Sequence, residues 1–312
     1  MSLKPEPIGP VPEGAIMEDI VETGPLAKTD ALQGGESEES SEHFSSVAAF
    51  YESIVMYEWE RLDRYILEFA AVKHYLKRFL PPPPARVLDI GGGPGRYAIL
   101  LAQQEYEVTL IDLAPANIDW ASKRFAQAGL KGDFLVGDAR DLSEFANGSF
   151  DAALLLGPLY HLPSLYSRSR CIAEMRRVLR KGGMAFSMML TRAATFYEGF
   201  NRWPEGIFNT DGVQKLLRTG RDFNFEKNPA DFVDNSSLYC ATAHEVRPLH
   251  EQHHFATCAI AGCEGILGGR REQLMALEPE VQDAWVRLML QMCEDESILG
   301  AAERILYVGK AV

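Results

Sequence analysis

Hydrophobic and polar positions divide the chain into an amphipathic start, a central run of short apolar strands and a less regular remainder. In the start, residues 44–80, apolar side chains recur at steps of three and four, the spacing of one helix face. They are Trp59, Leu62, Ile66, Phe69, Val72, Leu76 and Phe79. The prolines at 81–84 end the pattern, because proline lacks a backbone donor and clashes with the preceding turn. We therefore predict one leading helix within 44–80.

Short apolar runs alternate with glycine turns and helical patterns between residues 85 and 190. The predicted strands are 86–90, 107–112, 134–137, 150–156 and 184–190. Segment 150–156 reads FDAALLL, as expected of a strand that helices cover on both faces. The alternation predicts an α/β fold with a doubly wound, Rossmann-like and mostly parallel sheet.

The remainder of the chain gives weaker signals. Residues 191–240 are rich in aromatic side chains without clear periodicity, and we interpret them as an inserted cap that contacts substrate. A helix at 241–253, a strand at 255–261, a helix over 281–292 and a last strand at 304–308 would complete the sheet. We therefore expect a domain at 44–312, with its core at 85–190, its cap at 191–240 and the end of the sheet at 241–312.

The negative charge is concentrated in the N-terminal segment. The chain has 31 Lys and Arg against 44 Asp and Glu, a net charge of −13. Residues 1–43 hold ten acidic and two basic residues, so −8 of this charge lies there and −5 in the other 269 residues. That segment is polar and has no aromatic side chain, so we predict a disordered acidic tail at 1–43. Without a basic excess, we expect no nucleic-acid partner.

Membrane and secreted classes find no support in the sequence. No apolar run approaches the roughly 20 residues that cross a bilayer, and no signal peptide is visible. The five cysteines form no CxxC pair, so we expect reduced thiols, no metal and a cytoplasmic protein. His250 to His254 satisfies the HExxH pattern of zinc proteases, but its possible third ligand, Glu272, lies beyond four glycines. We favour a surface helix there.

The segment VLDIGGGPG, residues 87–95, is the strongest chemical signal. Gly91, Gly93 and Gly95 follow Asp89 at a strand end, where glycines let a ligand approach the backbone closely. A dinucleotide site would need GxGxxG, but the sixth position is Arg96. Asp112 and Asp138 end the next two strands, and ligands of such sheets bind at the carboxyl ends of the strands.

These motifs resemble those of class I S-adenosylmethionine-dependent methyltransferases that act on small molecules. The resemblance rests on VLDIGGGPG, VTLID, GDARDL, FDAALLLGPLYHL and RVLRKGG, in the order and spacing of that family. It implies S-adenosylmethionine as cofactor and a seven-stranded sheet whose last strand is antiparallel. It also implies that the three glycines and Asp89 lie near the methionine part, while Asp112 binds the ribose. The other implied cofactor contacts are Leu113, Asp138 and Ala139, of which the last two flank adenine, and Gly157 near the amino group.

Methyl transfer needs positioning above all, because the cofactor carries the reactivity. A general base should lie just after the fourth strand, where His161 is our candidate and a packed histidine is the competing interpretation. Tyr57, Tyr160 and Trp203 are candidate contacts to a small-molecule acceptor. We interpret Glu58 and Arg61 as a solvated pair across one helical turn.

Two functions remain open from the sequence. The first is methyl transfer to O, N or C of a small molecule. The second is a scaffold that binds the same cofactor without methyl transfer, as a lyase, a cyclase or a regulatory module. A nicotinamide oxidoreductase is disfavoured by Arg96. The sequence does not fix the oligomeric state.

Overall fold

The structure, a computed structural model, describes residues 41–221 and 238–312. These residues belong to one compact unit, Glu36–Val312. Residues 1–40 of the predicted acidic tail lie outside the described residues, and its last three residues begin the first helix. In the part of the chain described, no helix is both long and apolar enough to cross a membrane.

Helices and strands follow one another largely as the periodicity predicts. The strands are β1 Arg86–Ile90, β2 Glu107–Asp112, β3 Asp133–Val136, β4 Phe150–Leu155, β5 Leu179–Leu190, β6 Phe255–Gly262 and β7 Arg304–Ala311. The helices are α1 Ser41–Ser53, α2 Val55–Arg64, α3 Ile66–Phe79, α4 Arg96–Ala102, α5 Pro115–Gln127, α6 Leu165–Val178, α7 Arg192–Arg202, α8 Thr210–Thr219, α9 Ala243–Glu251, α10 Arg271–Met275, α11 Pro279–Met292 and α12 Glu296–Leu299. Short 3₁₀ turns occupy Pro158–His161, Pro204–Phe208 and Gly265–Leu267.

The strands form one seven-stranded sheet in the order β3-β2-β1-β4-β5-β7-β6. Strands β1 to β5 pair in parallel, and β7 is antiparallel to both of its neighbours. The α/β fold class with an antiparallel last strand is thereby confirmed. Strand order reverses between β1 and β4, and such a switch point is where ligands bind in sheets of this type.

Alternate residues of the central strands enter two separate cores. On β1, Val87 packs with one buried cluster and Leu88 with the other, and both are fully buried. Leu76 of α3, Leu101 of α4 and Phe125 of α5 belong to the first cluster. Helices α6 and α9 cover the opposite face. This double cover explains why the central strands read as nearly continuous apolar runs.

The predicted single leading helix is wrong in one respect, because the structure divides it into α1, α2 and α3. Tyr65 leaves helical geometry at φ −96° and ψ 56°, although its N–H still bonds to the carbonyl of Arg61. Its ring is held by the guanidinium groups of Arg271 and Arg304, 4.0 and 4.6 Å from the ring centroid. Hydrophobic spacing continues across such a break, so the pattern alone could not reveal it.

The region predicted as a cap contains α7, the turn Pro204–Phe208 and α8, while residues 222–237 lie outside the described part. Its role in substrate binding stays a prediction.

Candidate active site

The glycine turn after β1 has a conformation that its residue types dictate. Gly91 has φ +64°, and its N–H donates to the carbonyl of Ile111 at 2.7 Å. A Cβ atom at Gly91 would lie 2.4 Å from Cγ of Pro158, which begins the 3₁₀ turn after β4. Any larger residue would therefore both strain the backbone and push the two turns apart.

Gly95 has a packing role that the motif did not reveal. It precedes α4 with φ +87°, and an added Cβ would lie 3.1 Å from Cβ of Ala121 on α5. Unlike Gly91 and Gly93, it is not among the residues that line the cleft described next. Gly95 thus lets α4 approach α5, and its predicted cofactor contact stays a prediction.

A cleft opens at the carboxyl ends of β1, β2 and β4, the edge where the sheet reverses its order. It encloses about 1050 Å³, including the part open to solvent. The predicted site residues that line it are Asp89, Gly91, Gly93, Asp112, Leu113, Asp138, Ala139, Gly157, Tyr160 and His161. Ten residues that the sequence predicted as site residues therefore line one cleft.

Two predicted substrate contacts lie elsewhere. Tyr57 is 49% exposed, and the guanidinium of Arg64 lies 4.2 Å from its ring centroid. Trp203 follows α7 in the cap and is not among the residues that line the cleft. Any contact between these two side chains and an acceptor stays a prediction.

Asp112 holds the loop around it in place. Its Oδ2 accepts from the N–H of Gly93 at 2.8 Å, and its Oδ1 accepts from the N–H of Ala114 at 2.9 Å and from Nδ2 of Asn117 at 3.0 Å. Burial raises the pKa of Asp112, while these three donors act in the opposite direction. A carboxylate has about four acceptor positions, so one remains for a ligand hydroxyl.

Asp89 lies buried beneath the glycine turn with one oxygen unsatisfied. Within the described residues, its Oδ2 has no hydrogen-bond partner, and neither has the buried Oδ1 of Asn117. Burial and the nearby charge of Asp112 raise the pKa of Asp89 to about 7. Both orphaned acceptors border the cleft, so a ligand that brings N–H or O–H donors there would satisfy them.

The carboxylate of Asp138 forms an ion pair with Arg140. Both of its oxygens accept from the guanidinium of Arg140, with Nη2 at 2.6 Å from Oδ2, and the ring of Phe44 lies 3.5 Å from that guanidinium. A bond from Asp138 to adenine, as predicted, would have to share or replace this ion pair. Ala139 lines the cleft beside it.

His161 ends the 3₁₀ turn after β4 and points its ring at the N-terminal helices. Its Nε2 lies 2.7 Å from Oη of Tyr51 on α1, and its backbone carbonyl accepts from the ring of His43 at 2.9 Å. Burial lowers the pKa of His161 to about 4, and His43 adds to the effect. The imidazole is therefore neutral at pH 7 and already hydrogen-bonded, so its action as a general base stays a prediction.

The N-terminal helices contribute cleft residues that the motifs could not reveal. Phe44, Val47, Tyr51, Glu58, Arg61 and Leu62 line it. The interpretation of Glu58 and Arg61 as a solvated pair is wrong, since each side chain is only 18% exposed. Arg61 also forms a bidentate ion pair with the buried Glu68 of α3, at 2.6 and 2.8 Å. Spacing along one helix predicted the pair but not the neighbouring elements that cover it.

The two histidines of the HExxH segment are separated by the end of a helix. Helix α9 ends at Glu251, and His254 lies beyond it at φ +61°, so the two histidines do not share a helix face. His250 is fully buried, donates from Nδ1 to the carbonyl of Val246 at 2.7 Å and accepts at Nε2 from Oγ of Ser187 at 2.6 Å. Its two nitrogens are thereby satisfied within the protein.

Known proteins share the motif region and the fold. Residues 87–183 match the family described as "Methyltransferase domain". A ubiquinone biosynthesis O-methyltransferase of Xanthomonas axonopodis is 35% identical over 168 residues, which are 53% of this chain and 66% of that relative. The motif region of this chain is therefore a methyltransferase domain.

Solved structures share the fold of this chain. An S-adenosylmethionine-dependent methyltransferase of Methanosarcina mazei superposes with a TM-score of 0.51 at 20% identity, over 76% of this chain and 97% of that one. The (4+2)-cyclase SpnF superposes with a TM-score of 0.50 at 17% identity, over 81% and 82% of the two chains. At these identities the likeness shows the fold alone.

S-adenosylmethionine is the cofactor of the family, and the cleft fits it. The orphaned oxygen of Asp89, the orphaned Oδ1 of Asn117 and the spare acceptor position of Asp112 all need donors. The cofactor carries such donors as an ammonium group, ribose hydroxyls and an adenine amino group.

Proposed function

We propose that this protein methylates a hydroxyl group of a small, flat acceptor, with S-adenosylmethionine as methyl donor. One observation carries the proposal: the cofactor-motif residues and a set of aromatic side chains from other elements line the same cleft. The relative from Xanthomonas axonopodis is named as an O-methyltransferase, which supports oxygen as the accepting atom.

The cofactor's end of the cleft comprises the glycine turn and the acids at the strand ends. Here Asp89 and Asn117 would accept from the cofactor's donors, and Asp112 would accept from a ribose hydroxyl while it holds Gly93 in place. When bound, S-adenosylmethionine supplies an electrophilic methyl group. The protein's own contribution is to orient the two reactants and to exclude water, the main requirement of an in-line displacement.

The acceptor's end would lie where the cleft becomes apolar and aromatic. Val47 and Tyr51 of α1 and Tyr160 and Leu162 after β4 line the cleft and would form this part. Burial raises the pKa values of the Tyr51 and Tyr160 hydroxyls, so both stay protonated at neutral pH and can hydrogen-bond to an acceptor. Aromatic walls with a few polar tips favour a flat acceptor such as a phenol.

Mass spectrometry with S-adenosylmethionine that carries a deuterated methyl group tests this function. The full chain is incubated with 3,4-dihydroxybenzoate, with benzylamine and with thiophenol as representatives of three acceptor classes. We expect label on a hydroxyl oxygen of the dihydroxybenzoate alone. Label on the amine or the thiol would refute the choice of oxygen. Cofactor binding without labelled product from any class would favour the scaffold that does not transfer methyl groups.

A further inference from the structure

Glu58, one of four acidic residues that line the cleft in the described part of the chain, is better suited than His161 to receive a proton. Glu58 lies on α2, lines the cleft and is 18% exposed. Its Oε2 accepts from Nε of Arg61 at 3.1 Å, while its Oε1 has no hydrogen-bond partner among the described residues. One oxygen of this cleft-lining side chain is therefore held, and the other is without a hydrogen bond among those residues.

The neighbouring arginines pair mainly with Glu68 and stabilise the charge of Glu58 less. Arg61 directs both of its terminal nitrogens to Glu68, at 2.6 and 2.8 Å, and Arg304 of β7 also contacts Glu68 at 3.3 Å. Burial opposes ionisation of Glu68, yet the two arginines lower its pKa. For Glu58 the balance is reversed, because burial and the charge of Glu68 raise its pKa despite Arg61. Glu58 and Glu68 thus differ in proton affinity. Glu68 stays ionised and balances the arginines, whereas Glu58 binds a proton more readily and is suited to proton transfer.

Glu58 faces charged and titratable groups from every element around it. These are Arg61 on its own helix, Glu68 on α3, Arg304 on β7, Tyr51 on α1 and Tyr160 after β4. The two tyrosines belong to the end of the cleft that we assign to the acceptor. His161, by contrast, already shares its Nε2 with Tyr51 at 2.7 Å, and its low pKa makes it a weak base.

We propose that Glu58 is the catalytic base that takes the acceptor's proton at Oε1, an inference that rests on the proposed O-methylation. The acceptor O–H bond breaks and its proton passes to Glu58 Oε1. The acceptor oxygen forms a bond to the methyl carbon as the carbon–sulfur bond breaks, and that electron pair stays on sulfur. Glu58 then releases the proton to solvent, which restores the carboxylate.

Proton uptake on ligand binding tests this proposal without turnover. The probe is 4-nitrocatechol, titrated by calorimetry as its phenolate into the full chain with S-adenosylhomocysteine, in buffers of different ionisation enthalpy. Wild type is expected to take up about one proton per bound phenolate, because a second negative charge beside Glu58 requires one. Glu58→Gln should take up none. Equal uptake by wild type and Glu58→Gln would overturn the proposal.

Steady-state kinetics provide a second, independent test of Glu58 as the base. With 3,4-dihydroxybenzoate as acceptor, Glu58→Gln should lower kcat by about 100-fold or more and remove the acidic limb of the pH profile. The loss should shrink with 4-nitrocatechol, which is ionised in solution and needs no base. Glu58→Asp should recover part of the activity, since it keeps a carboxylate.

Control measurements separate this role from others. Glu60→Gln makes the same charge change on the exposed side of α2 and should leave uptake and kcat unchanged. S-adenosylhomocysteine should bind Glu58→Gln as it binds wild type, and weaker binding would assign Glu58 to the cofactor instead and refute the proposal. If wild type methylates no hydroxyl at all, the proposed function itself fails, a result distinct from an active wild type with an equally active Glu58→Gln.

Discussion

The most informative single substitution is Asp89→Asn, because it removes a buried charge that lacks a full set of partners. Asp89 is 1% exposed, its Oδ2 is orphaned within the described residues, and the N–H of Ala98 is its one stabilising donor. Asparagine has the same shape and can still accept from Ala98. It is neutral at every pH, so its effect on stability isolates the cost of the charge.

The magnitude follows from the shift in pKa. Burial, and then the charge of Asp112, raise the pKa of Asp89 from 3.8 to about 7. The native state therefore binds this proton more tightly than the unfolded state, and stability is lost as the pH rises between these two values. The full penalty is about 4 kcal/mol, of which about 2–3 kcal/mol develops between about pH 5 and pH 8. The asparagine carries none of it, but its unpartnered N–H₂ costs about 1–3 kcal/mol at all pH values.

Thermal unfolding from pH 5 to pH 8 measures this difference. The melting temperature of Asp89→Asn relative to wild type should rise with pH by several degrees. S-adenosylhomocysteine should bind the variant more weakly if Asp89 accepts from one of its donors as proposed, since the orphaned oxygen is replaced by an N–H₂ group. Asp133→Asn, at the exposed start of β3, makes the same charge change outside the cleft and serves as the control. A difference in melting temperature that stays constant or falls with rising pH would refute the reasoning.

Three further substitutions probe the other contacts of the cleft. Asp112→Ala should weaken S-adenosylhomocysteine binding by about 1–3 kcal/mol in calorimetry through lost charged hydrogen bonds, and an unchanged affinity would exclude its role. Glu68→Gln should lower the free energy of unfolding in urea by about 1.5–3 kcal/mol, because it removes the buried carboxylate that both Arg61 and Arg304 contact; a loss below 1 kcal/mol would contradict this. Tyr51→Phe removes the bond to His161, so amides of α1 should exchange faster with deuterium while those of the sheet do not; equal rates would show that the bond does not hold α1.

Much of the fold was predictable because hydrophobic period and glycine position reflect local physics. The bounds of β1 and β2 match the predicted strands, since each is a short apolar run between a turn and a glycine or acid. β5 was predicted from 184 but begins at Leu179. The prediction missed its start because Arg180 to Gly183 interrupt the apolar pattern. The strands stay paired there through a register shift between Phe150 and Ala152 of β4. Local patterns do not encode such irregular pairing.

In the candidate site, too, local patterns predicted some residues, whereas others depend on tertiary contacts. Residues at the ends of β1, β2 and β4 were predictable, because parallel strands bring their carboxyl ends to one edge. Glu58 and Arg61 were assigned to solvent, since nothing within α2 indicates that α3 and β7 cover them. The engagement of Asp138 by Arg140 likewise depends on side-chain conformation rather than on spacing. Tertiary contacts thus decide which side chains of the predicted cleft remain available to a ligand.

Calorimetric titration of the full chain with S-adenosylmethionine tests the central claim most directly. The structure predicts one saturable site per chain, for which S-adenosylhomocysteine competes. Absence of binding to the wild-type protein, at concentrations well above those at which the family's cofactor is normally used, would contradict the assignment of the cleft.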